Sequence, residues 1–90
     1  MILAKVTGTV ISTQKDENLN SLKLLLCREL DSDQKLLDTY HVAVDAVKAG
    51  QGDIVLLASG SSARMTNITR NAPIDAVTIA IVDNVSTAKV

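Results

Sequence analysis

The residues of this chain that could do chemistry are few, and its one histidine is the first of them. His41 could in principle form a Ser-His-Asp triad with Asp45 and with Ser61 or Ser62. Neither serine lies in a nucleophile-elbow pattern. The alternation of the surrounding strand places His41 on its exposed face, opposite Val42. We therefore expect an ordinary surface or interface histidine, and no enzymatic activity.

Cysteine and metal chemistry is equally sparse. Cys27 is the only cysteine, so the chain can form neither an intrachain disulfide nor a cysteine cluster for zinc. Strand alternation turns Cys27 outward with Lys23 and Glu29, or places it beneath the polar loop, and an inert, buried or half-buried thiol is expected. The pairs Asp31–Asp33 and Gly50–Gly52 are more typical of turns than of metal or phosphate sites. The sequence predicts no catalytic residue, metal or cofactor.

Positions 60–64, Gly-Ser-Ser-Ala-Arg, differ from the candidate sites above. Here small residues, which offer backbone N–H donors, follow a wholly apolar strand. Either serine could serve as the N-cap of a short helix. Small side chains would let neighbouring chains approach closely, or would leave an opening between them. Arg64 could pair with a carboxylate such as Asp75 or Asp45, within one chain or between chains. The alternative is a capped surface turn with a solvated arginine.

Composition excludes several classes of function. The 90 residues are 47% hydrophobic with a net charge of −1, and Tyr40 is the only aromatic residue. Without a basic block or a row of stacking aromatics, nucleic-acid binding is not expected. No apolar run approaches the roughly 18 residues of a membrane span, and the N-terminus lacks the pattern of a signal peptide. We expect a cytosolic protein with no membrane or nucleic-acid partner.

The apolar pattern predicts one domain over residues 1–90, built from short strands. Gly8 suggests a bend or a close backbone approach within the first strand. Leu22, Leu24 and Leu26 are assigned to the inward face of the second. A short helix is expected near Ser62–Met65. The predicted strands are Ile2–Thr13, Leu22–Leu30, Tyr40–Val44, Ile54–Ala58 and Ala76–Val82. Five strands and one short helix favour an all-β, OB-like barrel.

The last two strands point to an assembly. Residues 54–58 are apolar on both faces, and residues 77–82 are largely so. A five-stranded barrel has only one interior, so the outer faces of these strands need another cover. The short helix could supply part of it, and another subunit could supply the rest.

A set of motifs follows in order along nearly the whole chain: Leu3–Val10, Ser12–Lys15, Lys23–Leu26, Val42–Asp45, Ala49–Gly52, Val55–Leu57, Gly60–Arg64, Pro73–Ala76 and Ala80–Asp83. Together they resemble the EutN/CcmL family of microcompartment vertex proteins. The chain departs from the family at Ser21, Lys48 and the Asp33–Gln34 turn, where glycine is usual. These sites are loops, so altered shape rather than lost function is expected.

The resemblance implies an OB-like barrel that forms a homopentamer. Such pentamers cap the five-fold vertices of a shell that is otherwise tiled by hexameric shell proteins, within the cytoplasm. The residues assigned to the subunit interface or the ring axis are Gly60, Ser61, Ser62, Ala63, Arg64, Asp75 and Asp45. Two alternatives remain open: an OB-type binding module for single-stranded nucleic acid or oligosaccharide, and a small enzyme.

Overall fold

The described part of the chain folds into a closed five-stranded β-barrel, with a short helix between its last two strands. The computed structural model describes residues 1–11, 17, 22–66, 68–69 and 74–87. Its elements are β1 (Ile2–Val10), β2 (Leu24–Leu30), β3 (Leu36–Val44), β4 (Ile54–Ser59), a 3₁₀ helix (Gly60–Arg64) and β5 (Ala76–Ile81). The strand order around the barrel is β1-β2-β3-β5-β4. The predicted all-β barrel is confirmed.

Four of the five strand contacts are antiparallel, and the fifth is parallel and very short. β3 and β5 run parallel and are paired through Val44 and Val77 alone. β1 was expected to continue to Thr13 but ends at Val10; residues 12 and 13 lie outside the described part of the chain. Most of the segment between the first two predicted strands, and Pro73, also lie outside it. Among the described residues, no helix has the length and apolar composition needed to span a bilayer.

The barrel interior is filled by small and aliphatic side chains that the strands direct inward. These are Ala4, Val6, Leu25, Cys27, Ala43, Val55, Leu57 and Ala76, with Ala49 from the loop after β3. The expected inward face of β2 was wrong, because Leu25 and Cys27 point inward and Leu24 and Leu26 do not. Residues 22–27 are apolar at both odd and even positions, except for Lys23, which precedes β2. The pairing of β2 with β3 shifts register between Arg28 and Leu30, so Glu29 does not indicate which face of β2 points inward.

The same inversion affects β3. His41 was expected on the exposed face, but it is half-buried and lies next to Glu29, with Nε2 and Oε2 2.9 Å apart. Val42, expected inward, is 48% exposed, whereas Ala43 is fully buried. The strand begins at Leu36 rather than Tyr40, and its first five residues are all exposed.

A second apolar cluster lies outside the barrel, under the 3₁₀ helix. Ala63 of that helix is fully buried and packs with Val44, Ala58 and Val77, one residue from each of three strands. This cluster accounts for part of the apolar outer surface of β4 and β5, at Ala58 and Val77. It confirms the expectation that the short helix covers part of their outer surface.

Two tight turns depend on left-handed backbone. Gly52 closes the β3–β4 connection with φ 91°, as the Gly50–Gly52 pattern predicted. Gln34 takes φ 63° in the β2–β3 turn, where a side chain is disfavoured. Asp31 stabilises that turn because its Oδ1 accepts hydrogen bonds from the backbone N–H groups of Asp33 and Lys35, both at 2.9 Å. The predicted irregularity near Gly8 is a register shift between Val6 and Gly8.

Candidate assembly interface

The segment at residues 60–64 joins β4 to the outer cluster. Gly60 turns the chain with φ 63°, and its N–H donates to the backbone oxygen of Asp75 at 2.8 Å. Ser61 and Ser62 are exposed. The N-cap is Ser59, which makes no side-chain capping bond, so the expected cap at Ser61 or Ser62 was wrong. The helix begins earlier than expected because the chain turns at Gly60, immediately after β4.

The charged groups nearest this segment are not paired with one another. Arg64 is exposed, and among the described residues its Nη1 donates to the backbone oxygen of Ile74, at 3.4 Å. Within the described residues the ion pair is Arg28–Asp38, and His41 is hydrogen-bonded to Glu29. The within-chain pairing of Arg64 with Asp75 or Asp45 is therefore not formed there. Arg64 and Asp75 are both exposed, so both are accessible to a neighbouring chain.

A groove opens beside the short β3–β5 contact. Because β5 pairs with β3 only at Val44, the residues of β3 before it have a strand on one side, β2. We call the resulting groove, of about 430 Å³, the seam groove. Tyr40 and Val42 line it and are 52% and 48% exposed. Its other lining residues are Ile2, His41, Ser59, Gly60, Asp75 and Ala76.

A second groove, of about 370 Å³, lies beside the loop that follows β3. It is lined by Leu22, Lys23, Asp45, Lys48 and Ile68, and we call it the basic groove. Lys23 and Lys48 are exposed, and Lys48 has φ 59°. The assigned interface residues are thus divided: Gly60 and Asp75 line the seam groove, whereas Asp45 lines the basic groove.

Asp45 is engaged inside the chain. Its Oδ1 accepts hydrogen bonds from the backbone N–H groups of Val47 and Ala49, at 3.2 and 3.1 Å, and from the hydroxyl of Thr78, at 3.1 Å. The hydroxyl oxygen of Thr78 in turn accepts from the backbone N–H of Ala46 at 2.9 Å. Asp45 therefore fixes the loop after β3 onto β5.

No catalytic arrangement forms among the described residues. The partner of His41 is Glu29, and the engaged oxygen of Asp45 bonds to Thr78 and the loop. Burial, reinforced by the nearby Asp45 carboxylate, raises the pKa of the Cys27 thiol to about 11. A thiol with this pKa is a poor nucleophile at neutral pH. Across the residues that the structure describes, no three His, Cys, Asp or Glu side chains converge as a metal site requires.

A family model described as "Ethanolamine utilisation protein EutN/carboxysome" matches residues 1–83. The chain belongs to the EutN/CcmL family. It is 47% identical over 88 residues to the carboxysome shell vertex protein CcmL of Synechocystis, covering 98% of this chain and 88% of that protein. It is also 47% identical over 90 residues to the microcompartment shell vertex protein PduN of Salmonella typhimurium, covering 96% and 99% of the two chains.

The barrel also superposes on solved structures of the EutN/CcmL family. The pentameric microcompartment shell protein GrpN of Rhodospirillum rubrum matches with a TM-score of 0.88 and 43% identity, covering 99% of this chain and all of that one. These three relatives carry the words shell protein or vertex protein in their names, and none of the three is named as an enzyme.

Sequence reasoning missed the seam groove. The pattern of β3 predicts a strand that buries Val42 and Val44, so the exposure of Val42 beside Tyr40 was not expected. The groove exists because β3 and β5 share a single residue pair, and such a long-range pairing leaves no local pattern in the sequence. The one signal that the sequence offers is the continuation of β-compatible residues back to Leu36.

Proposed function

We propose that this chain is a structural shell protein whose pentamer closes the five-fold vertices of a polyhedral bacterial microcompartment in the cytoplasm. The observation that carries the proposal is the match along nearly the whole chain to proteins named shell vertex proteins. One of the superposed relatives is named as a pentamer. The protein performs no reaction in this role, because its contribution is the shape of the ring.

The physical basis of the role is geometric. A flat sheet tiled by hexagonal units curves into a closed shell only where five-fold units replace six-fold ones. The partners of the pentamer are therefore hexameric shell proteins. A ring of identical copies uses a heterologous contact, in which two different surfaces of each copy meet. Exposed apolar side chains, among them Tyr40 and Val42, are available for such contacts.

Within this proposal the chain is a single domain, and Gly60 to Ala63 lie near the ring axis or at the boundary between subunits. Arg64, Asp75 and Asp45 contribute contacts at the interface or within the fold. Ser62→Trp tests the placement, because Ser62 is exposed in the monomer and the indole would meet only a neighbouring copy. We expect this variant to disrupt the ring. Ser32→Trp, in the exposed β2–β3 turn, serves as the control, and an unchanged Ser62→Trp pentamer would refute the placement.

The solution mass of the purified protein is the direct test of the function. Light scattering after size exclusion should give five times the mass of the 9.5 kDa chain. Co-expression with hexameric shell proteins should then give closed polyhedral particles by electron microscopy, and particles lacking this chain should be open at their vertices. A stable monomer would overturn the proposal and return attention to a small binding module.

A further inference from the structure

The seam groove and the basic groove flank the same connection. The β4–β5 connection borders the seam groove at both of its ends, Gly60 and Asp75, and Ile68, which lies between them in the sequence, borders the basic groove. Its 3₁₀ helix begins at Gly60 and ends before Ile68. Each copy in a closed ring must present two different surfaces that complement each other. The seam groove and the basic groove are two such different surfaces of one copy.

The seam groove combines apolar and polar side chains and has an acidic wall. Tyr40 and Val42 are about half exposed in it, and Asp75 is an exposed carboxylate. The acid Glu29 is engaged with His41, 2.9 Å away. The residues of β3 before Val44 also present backbone hydrogen-bonding groups that do not pair with β5. An open strand edge of this kind can pair with a further chain.

The basic groove is apolar with a cationic wall. Ile68 is 48% exposed and Leu22 is half-buried, and the exposed ammonium groups belong to Lys23 and Lys48. Asp45, the acid among the described lining residues, accepts three hydrogen bonds within the chain. The two ammonium groups outnumber this one carboxylate, so the net charge of the described wall is positive and complements the acidic wall of the seam groove.

We propose that the seam groove of each copy packs against the basic groove of the next copy around the ring, with Asp75 of one facing Lys48 of the other. The inference rests on the proposed function and adds to it the two surfaces that meet. The apolar side chains supply the buried contact, and the opposed charges fix which surfaces pair. The occupant of the seam groove is a second copy of this chain.

Charge reversal with rescue is the test. Asp75→Lys and Lys48→Asp each place like charges at every contact of the ring. Each should raise, by about tenfold or more, the protein concentration below which half of the rings have dissociated, as expected for like charges in contact. The double variant restores opposite charges and should return to within about threefold of the unchanged protein. Aspartate suits position 48 because it tolerates the left-handed backbone found there better than most residues.

The control for net charge is Asp33→Lys, in an exposed turn that borders neither groove. It should leave the ring unchanged. Mass should be followed by light scattering over a dilution series, at low and high salt, with circular dichroism to verify folding. Single variants that dissociate like the unchanged protein, or a double variant that fails to recover, would overturn the placement of these grooves.

Cysteine crosslinking gives a second readout that does not depend on charge. A chain carrying both Val42→Cys and Ile68→Cys should form a ladder of disulfide-linked species up to the pentamer under mild oxidation, and neither single variant should. The buried Cys27 should not interfere. A pentamer without this ladder would refute the groove pairing while leaving the vertex function standing. Intact rings that lose only their incorporation into shells would assign the seam groove to another shell protein and refute the proposal.

Discussion

Asp45 is the residue whose role the structure changes most, and replacing it separates a structural from an interfacial function. One oxygen of this carboxylate accepts three hydrogen bonds, two from the loop after β3 and one from Thr78 on β5. Asp45→Ala removes all three. It leaves the backbone N–H of Ala49, a buried residue, without its acceptor.

The expected cost follows from these contacts. Hydrogen bonds to a charged group contribute about 1.5–3 kcal/mol each, but three that share one oxygen do not add fully. We therefore expect Asp45→Ala to lower the free energy of unfolding by about 2–4 kcal/mol, since Thr78 keeps a bond to the backbone oxygen of Val44. For a domain of this size the melting temperature should fall by about 10–25 °C. Asp45→Asn keeps a neutral acceptor in place and should cost about 1 kcal/mol.

The assay is urea unfolding at one fixed protein concentration, because assembly would otherwise contribute to the apparent stability. Thr78→Val completes a double-mutant cycle with Asp45→Ala, and the two effects should be clearly less than additive because they remove a shared contact. An Asp45→Ala protein with an unchanged unfolding midpoint but no ring would show that this carboxylate acts mainly between subunits. That result would refute the role of Asp45 in holding the loop onto β5.

Two further predictions follow from single residues. Above pH 9 the unfolded chain releases the thiol proton of Cys27 while the native chain retains it to about pH 11, so stability should fall with rising pH across this interval. Cys27→Ala should flatten that fall, and iodoacetamide should modify native Cys27 at pH 8 only slowly; rapid modification would contradict its burial. Gln34→Gly should raise the free energy of unfolding by about 0.5–1 kcal/mol by relieving its left-handed backbone. Asp33→Gly should lower it, and equal effects of the two would refute the argument from backbone conformation.

The barrel was predictable because its strands are short, apolar and separated by polar turns. β1, β4 and β5 lie within one to three residues of their expected bounds. The short helix was recognised from the small residues at positions 60–64, although it begins two residues earlier than expected. In each case the local pattern and the final structure depend on the same residues.

The faces of β2 and β3 were not predictable from alternation alone. Between Leu24 and Cys27 every side chain is apolar, so parity carries no information there. Because the register shifts before Leu30, the charged Glu29 does not indicate which of the earlier side chains point outward. The role of Asp45 was missed for a different reason, because its partner Thr78 lies 33 residues away in the sequence. Contacts of this range leave no pattern in a single sequence.

The packing of the outer cluster has a consequence for ring size. The number of copies in a closed ring depends on the angle between the two surfaces that each copy presents. The seam groove is built from the β3 edge and both ends of the β4–β5 connection, and the basic groove from Ile68 within that connection, the residues before β2 and the loop held by Asp45. The buried methyl group of Ala63 packs that connection on Val44 and Val77. Because packed interiors resist continuous deformation, this cluster holds the connection in place on the barrel. Under the proposed pairing, residues that line the grooves would decide whether copies bind, and residues beneath the 3₁₀ helix would set the angle between the grooves and so the number of copies that close the ring.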